Sequence, residues 1–108
     1  MLKWTVGDAL RRLAQDKTDF ARLVEKEIFD VSLYKPEKTD PQTPHTRDEL
    51  YVIASGSGKF VCAGETQAFA TGDVLFAAAG VEHRFLDFTD DFAVWVIFFG
   101  ARPQKPAH

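Results

Sequence analysis

The chain has 108 residues and a formal net charge of −3, and 45% of its residues are hydrophobic. This length suits one domain with a buried core. The acidic balance and the lack of a Lys/Arg cluster argue against nucleic-acid binding, and the longest strongly apolar run, Phe92–Phe99, is far shorter than the about 20 residues that span a membrane. Cys62 is the only cysteine, so no internal disulfide can form and a cytoplasmic location is expected.

Residues 1–16 are expected to contain a short N-terminal helix. Apolar side chains recur at the helical spacing i, i+3, i+4 and i+7, at Val6, Ala9, Leu10 and Leu13. Thr5 and Asp8 stand three residues apart just before and within this pattern, which is the spacing of a capping box. The sequence therefore predicts one amphipathic helix, capped by Thr5 and packed on a sheet.

From residue 20 onward, short apolar or alternating segments separated by turn residues predict about eight strands. These segments are Phe20–Val24, Ile28–Tyr34, Leu50–Ala54, Lys59–Cys62, Gln67–Ala70, Val74–Ala77, Arg84–Phe88 and Phe92–Phe99. Strands this short, with glycine at most of the turns, are typical of a sandwich or a barrel. Three prolines exclude a central strand in Lys35–Pro44, and two more predict a flexible tail over residues 101–108.

The last predicted strand, Phe92–Phe99, is apolar at both alternating positions. A strand with one face in water should alternate between apolar and polar residues, so both faces of this strand need cover. One face would line the barrel interior, and the other would meet either the N-terminal segment or a second subunit. Together with the ten phenylalanines of the chain, this pattern predicts a homodimer.

The histidines are the residues best suited to chemistry, and they are His45, His83 and His108. The first two lie at predicted strand starts close to carboxylates, and His45 and Glu49 have the same parity, so both can point into the barrel. Two imidazoles and one carboxylate that converge in an apolar barrel suit a divalent transition metal. The alternative is that each histidine is a surface or core residue that meets a backbone carbonyl.

Two stretches of the sequence resemble the motifs of the cupin family. The first resembles G-x5-H-x-H-x3-E-x6-G, whose second His, Glu and closing Gly match His45, Glu49 and Gly56. The second resembles G-x5-P-x-G-x2-H-x3-N, whose two Gly and His match Gly72, Gly80 and His83. The resemblance implies an all-β fold, the cupin-type double-stranded β-helix barrel (jelly-roll-like). It would form a single domain over residues 1–108, with the barrel in residues 20–99.

The chain departs from the family pattern at four motif positions, where it has Glu37, Thr43, Ala78 and Asp87. Thr43 replaces the first histidine ligand, so the resemblance implies a metal site of His45, Glu49 and His83. Such a two-His-one-carboxylate set resembles non-haem iron sites with open coordination positions. The ion would be one divalent transition metal, namely Zn, Fe, Ni or Mn.

Gln42 and Asp40 stand near the position that Thr43 leaves without a ligand. Strand parity disfavours both, because each is an odd number of residues from His45, and water is the simpler fourth ligand. The residues expected to line a pocket are Gln42, Thr43, Tyr51, Phe60, Phe85 and Trp95, with core packing as the alternative for the aromatic ones. Arg47 and Arg84 are near enough to meet an anionic substrate, or else they face solvent.

Two functions are consistent with these residues. The first is a metal-dependent enzyme of the oxygenase, isomerase or lyase type that acts on a small polar organic molecule. The second is a non-catalytic cupin that binds or senses a small molecule. The fold does not choose between them, and the sequence assigns no catalytic residue. No nucleic-acid or membrane partner is expected.

Overall fold

The computed structural model describes residues 2–41 and 43–101, and within them the chain forms one helix and eight strands. The elements are α1 (Val6–Asp16), β1 (Phe20–Glu25), β2 (Phe29–Tyr34), β3 (Asp48–Ser55), β4 (Ser57–Cys62), β5 (Glu65–Ala70), β6 (Val74–Ala77), β7 (His83–Leu86) and β8 (Ala93–Phe99). They form a five-stranded antiparallel sheet in the order β1-β2-β8-β3-β6 and a three-stranded one in the order β5-β4-β7. Among the described residues, no helix is long and apolar enough to cross a membrane. Gln42 and His108 lie outside the described residues, as does all of the predicted tail after Ala101.

The helix α1 forms as its capping signal predicts, but it is shorter than the predicted segment 1–16. Thr5 has extended backbone angles, its hydroxyl accepts from the Asp8 N–H at 3.0 Å, and the Asp8 carboxylate accepts from the Thr5 N–H at 3.2 Å. Because the cap residue is extended, the helix begins only at Val6. It ends at Asp16, and the capping residue Lys17 is left-handed and donates its backbone N–H to the carbonyl of Leu13.

All eight predicted strands form, with ends that differ by a few residues, and the described residues of Lys35–Pro44 contain no strand. One prediction is wrong in detail: His45 does not stand at the start of a strand, because β3 begins only at Asp48. Pro41 and Pro44 lack the backbone N–H that a ladder needs, so the chain enters β3 from an irregular loop. His45 lies in that loop.

The strand β8 divides the hydrophobic side chains into two clusters on the two faces of the five-stranded sheet. Val94 and Val96 point into the barrel and join its aromatic core, whereas Ala93 and Trp95 point outward. The outward pair packs in the cluster that the apolar side of α1 completes, with Leu13 among its buried members. The helix therefore covers part of the outer face of β8, which the sequence had left open between the N-terminal segment and a second subunit.

Gly56 joins β3 to β4 at a point where two parts of the backbone nearly touch. Its φ is +86°, and a Cβ at this position would stand 2.7 Å from the Cα of Phe92 and 2.5 Å from the Thr89 hydroxyl oxygen. Gly64, at the turn between β4 and β5, has a similar φ of +82° but no atom within 4 Å of such a Cβ. The two glycines thus share the left-handed backbone and differ in the space around them.

We predict that Gly64→Ala lowers the free energy of unfolding by about 1–2 kcal/mol, the cost of a left-handed alanine. Gly56→Ala should lose that amount and a further roughly 1–3 kcal/mol, because its methyl group overlaps backbone that cannot move aside cheaply. Urea denaturation of the two variants beside the parent chain measures the difference. Equal losses would show that the contact with Phe92 costs nothing.

Candidate metal centre

Glu49 is a carboxylate on the inner face of β3 with only 1% of its side chain exposed. Its Oε2 accepts a hydrogen bond from the Tyr51 hydroxyl at 2.6 Å and lies 2.8 Å from Nε2 of His83. Its Oε1 lies 3.2 Å from Nδ1 of His45. A negative charge this deeply buried needs a positive partner, so a cation or a proton has to be held beside it.

His83 opens β7 and is oriented by a backbone carbonyl. Its Nδ1 lies 2.9 Å from the carbonyl oxygen of Val81, and a carbonyl can only accept, so Nδ1 carries a proton. In the neutral ring, Nε2 then keeps its lone pair and directs it towards Glu49 at 2.8 Å. A lone pair aimed at a carboxylate is unfavourable unless a cation stands between them, and a carbonyl on the far nitrogen is the usual support of a metal-bound histidine.

His45 reaches the same place from the loop before β3. Its backbone carbonyl accepts the N–H of Gly80 at 2.6 Å, which ties this loop to the one that leads into His83. The His45 ring lies edge-on to the rings of His83 and Phe98, with centroids 5.4 and 5.3 Å away. Its side chain is 27% exposed, whereas those of Glu49 and His83 are buried, so solvent reaches the group from the side of His45.

The surroundings shift the pKa of two side chains in this group. Burial alone would lower the pKa of His83, but the hydrogen bonds to Glu49 and to the Val81 carbonyl and the charges of Glu49 and Asp40 outweigh it, so the pKa is raised above 6.5. Burial, the charge of Glu49 and the hydrogen bond to it raise the pKa of Tyr51 strongly. Tyr51 therefore stays a neutral donor, and a proton on His83 can stand where a metal would otherwise balance Glu49.

The three predicted ligands form one group, since one ligand atom from each lies within 4.8 Å of the others. Two imidazole nitrogens and one carboxylate oxygen suit zinc and the other divalent transition metals. Thr43, at the position of the absent histidine, is exposed on the loop before β3. Donor types, spacing and burial of His45, Glu49 and His83 all fit a metal ion with open coordination positions.

Comparison with known proteins agrees with this fold. The model of the cupin domain family matches residues 31–99, which include all three members of the group. The chain belongs to the cupin family.

Relatives and solved structures extend this comparison. The cupin is 40% identical over 60 residues to the uncharacterized protein SCO3923 of Streptomyces coelicolor, a match that covers 56% of this chain and 57% of that protein. The chain thus spans little more than half the length of that relative. It is similar in fold to KdgF from Halomonas sp. (TM-score 0.66, 19% identity, 77% of this chain and 78% of that one). It is also similar to a cupin protein from Bacteroides fragilis (TM-score 0.60, 22% identity, 82% and 83%). Identities this low show the fold alone.

Of the aromatic residues predicted to line a pocket, Tyr51 and Phe60 lie beside the metal-binding group, whereas Phe85 lies deeper in the core. Tyr51 is wholly buried next to Glu49, and the rings of Phe60 and Phe85 pack against it at 5.7 and 5.0 Å. Phe60 also lies 6.3 Å from the ring of His83, so it borders the group from the core side. Phe85 is 0% exposed and belongs to the hydrophobic core beneath Tyr51.

Trp95 does not line the pocket, and this prediction is corrected. Its side chain lies on the outer face of the sheet, opposite Leu33 of β2 and Val52 of β3, in the cluster that α1 completes. Alternation along β8 sends Val94 and Val96 inward and therefore Trp95 outward. The sequence of β8 did not reveal which set of alternate residues faces the interior, because both sets are hydrophobic.

Asp40 is a buried carboxylate in the loop before β3 that lies outside the ligand group. It is 3% exposed, and its carboxylate accepts the Tyr34 hydroxyl at 2.7 Å and the backbone N–H of Phe85 at 2.8 Å. The bond to Phe85 gives an acceptor to an edge strand, since among the described strands β7 pairs only with β4. Strand parity disfavoured Asp40 as a metal ligand, and in the structure its carboxylate instead fastens the loop to β7.

The two arginines near the ligands have opposite surroundings. Arg47 is buried, donates to Asp30 at 2.7 Å and to the Gly100 carbonyl at 3.0 Å, and lies over the ring of Phe98 with its Cζ 5.8 Å from the centroid. Arg84 is exposed, as the alternative for a charged strand residue predicted. Phe98 contacts both Arg47 and His45. The sequence did not predict this residue, because its register opposite Glu49 depends on how β3 and β8 pair.

Protons should compete with metal at this site. An imidazole binds metal only when it is neutral. Because the pKa of His83 is raised, its Nε2 stays protonated up to a higher pH than in an ordinary histidine, and a metal ion has to displace this proton. We predict that zinc affinity falls as the pH is lowered, starting above pH 6.5. Isothermal titrations across pH 5.5–8.5 (roughly the range of histidine titration) measure this. An affinity that is flat down to pH 6 contradicts the prediction.

Proposed function

We propose that this cupin is a metal-dependent enzyme that acts on a small polar organic molecule by oxygenase, isomerase or lyase chemistry. The observation that supports this proposal most directly is the convergence of His45, Glu49 and His83 within 4.8 Å at a partly accessible position. Three protein ligands leave coordination positions on an ion free, whereas structural metal sites are closed by protein ligands. A free position is what a substrate needs.

The residues around the group have separate tasks in such an enzyme. His45, Glu49 and His83 would hold one ion of Zn, Fe, Ni or Mn, which when bound supplies Lewis-acid or redox chemistry. The Val81 carbonyl keeps the His83 ring in the tautomer that presents Nε2. Phe60 and Phe98 place apolar surface beside the imidazoles, which limits the access of water and strengthens electrostatic interactions in the site.

Metal content tests the first half of this proposal. Protein purified without an affinity tag should contain close to one transition-metal ion per chain after incubation with the ion and gel filtration. His45→Ala and His83→Ala should abolish stoichiometric binding, and Glu49→Gln should weaken it by removing the anionic ligand. Elemental analysis measures the content, and His108→Ala is the control, since it removes the remaining histidine. If His45→Ala retains the metal of the parent chain, the site does not exist.

Turnover tests the second half. Metal-loaded protein is incubated with a panel of small polar acids, sugars and amino acids, and substrate and product are followed by proton NMR, with oxygen uptake recorded for the iron form. An enzyme converts one of these compounds, and Glu49→Gln slows the conversion. A compound that stays bound and chemically unchanged, while none is converted, would instead favour the non-catalytic binding or sensing cupin.

We also propose that the cupin is a homodimer that associates through the uncovered part of the five-stranded sheet. One register row on the outer face is apolar from edge to edge, and its members are Val24, Val31, Ile97, Leu50 and Phe76. Val74 and Phe99 extend this row, and the side chains of Val74, Phe76 and Phe99 are 63%, 49% and 43% exposed. Apolar patches of this kind are unusual on small monomers, and a row without charged side chains lets two copies of an acidic chain meet with little repulsion.

A charge placed in this row should separate the two copies. Phe76→Lys introduces like charges at symmetry-related positions of an apolar interface, so we expect the sedimentation coefficient to fall from that of a dimer to that of a monomer. Leu86→Lys is the matched control, because Leu86 is 40% exposed but lies on β7 of the other sheet. A parent chain that sediments as a monomer at high concentration contradicts the proposal.

For the cellular location we propose the cytoplasm. Cys62 is the only cysteine of the chain, and burial and the charge of Glu65 raise the pKa of its thiol, so it stays protonated. A chain without disulfides suits a reducing compartment. Fractionation of cells that express the untagged protein tests this location.

A further inference from the structure

Tyr51 contacts the carboxylate of the metal-binding group directly. Its hydroxyl donates to Oε2 of Glu49 at 2.6 Å, and the two residues stand two positions apart on the inner face of β3. Tyr51 is 0% exposed and Glu49 1%, so bulk water does not compete for this hydrogen bond. A short bond from a neutral hydroxyl to a carboxylate is among the stronger hydrogen bonds in proteins.

The ring of Tyr51 is held in place from two sides. Phe85 packs edge-on against it with centroids 5.0 Å apart at 83°, and Phe60 does the same at 5.7 Å and 65°. Both partners are buried core residues. The hydroxyl therefore cannot swing away without disturbing packed aromatic rings, and the orientation of the Glu49 carboxylate is fixed with it.

We propose that Tyr51 is a positioning residue that holds Oε2 of Glu49, so that this carboxylate binds the ion through one oxygen and leaves coordination positions for substrate. Binding through both oxygens would compete with the hydrogen bond from Tyr51 for the electron pairs of Oε2. This inference rests on the proposed metal-dependent function. It adds to that function a residue that no ligand motif contains.

The chain provides a matched comparison in its other tyrosine. Tyr34 also donates to a buried carboxylate, Oδ1 of Asp40, at 2.7 Å. Asp40 is outside the group that His45 and Glu49 form with His83. Removing either hydroxyl takes one buried hydrogen bond out of the same barrel, but only one of them lies on a ligand.

The experiment compares Tyr51→Phe with Tyr34→Phe, using zinc titration calorimetry and the visible spectrum of the cobalt-loaded proteins. We expect Tyr51→Phe to bind zinc about 10–100-fold more weakly, as losses of such supporting hydrogen bonds generally do. Its cobalt bands should also lose intensity, because a second Glu49 oxygen raises the coordination number. Tyr34→Phe should match the parent chain in both readouts. Equal effects in the two variants, or none in Tyr51→Phe, overturn the inference.

Two unnatural residues keep the test valid if Tyr51→Phe does not fold. 4-Aminophenylalanine at position 51 retains a donor, whereas 4-methylphenylalanine has a similar volume and no donor. The first should keep the affinity and cobalt spectrum of the parent chain, and the second should show both changes; indistinguishable proteins overturn the inference. If the parent chain binds no metal, the proposed function fails together with this inference. If it binds metal and Tyr51→Phe binds equally well, only the inference fails.

Discussion

The buried carboxylate of Glu49 is the constraint around which the rest of this structure is arranged. A carboxylate with 1% exposure has lost its hydration and is stable only if donors and positive charge replace it. The structure supplies a tyrosine hydroxyl and two imidazoles within 3.2 Å of its two oxygens. An apolar residue could pack this position more cheaply, so the carboxylate indicates a function that needs a negative charge inside the barrel.

That arrangement depends on loops that are fastened to one another rather than on strands alone. The Gly80 N–H bonds the His45 carbonyl, and the Ala79 N–H bonds the Asp48 carboxylate, so the loop before β3 is attached to the one before β7. Asp40, in the same loop as His45, adds a bond to the edge strand β7. Each histidine is thus placed by backbone hydrogen bonds to a different part of the chain, which gives a precise site on irregular segments.

Much of the fold follows from local signals. The capping box at Thr5 and Asp8 acts within one helical turn, and the eight strands are bounded by turn residues that need no distant partner. The prolines around Thr43 prevent a strand there for a covalent reason. The exception is His45, predicted at a strand start, because where a ladder begins depends on the partner strand as well as on the segment itself.

The residues of the candidate site also fall into those that the sequence predicted and those that it did not. The residue types and spacing of His45, Glu49 and His83 sufficed, with the resemblance to cupin motifs, to predict which side chains converge. Phe98 opposite Glu49, the Val81 carbonyl behind His83 and the outward direction of Trp95 did not follow from the sequence. Each depends on strand register, on a backbone group or on which face α1 covers. The amino-acid sequence by itself determined the donors and the local elements, because these are written in residue type and short spacing. The tertiary structure decided the partners of each donor, because they come from segments that are far apart in the chain and meet only when the two sheets close on a common core.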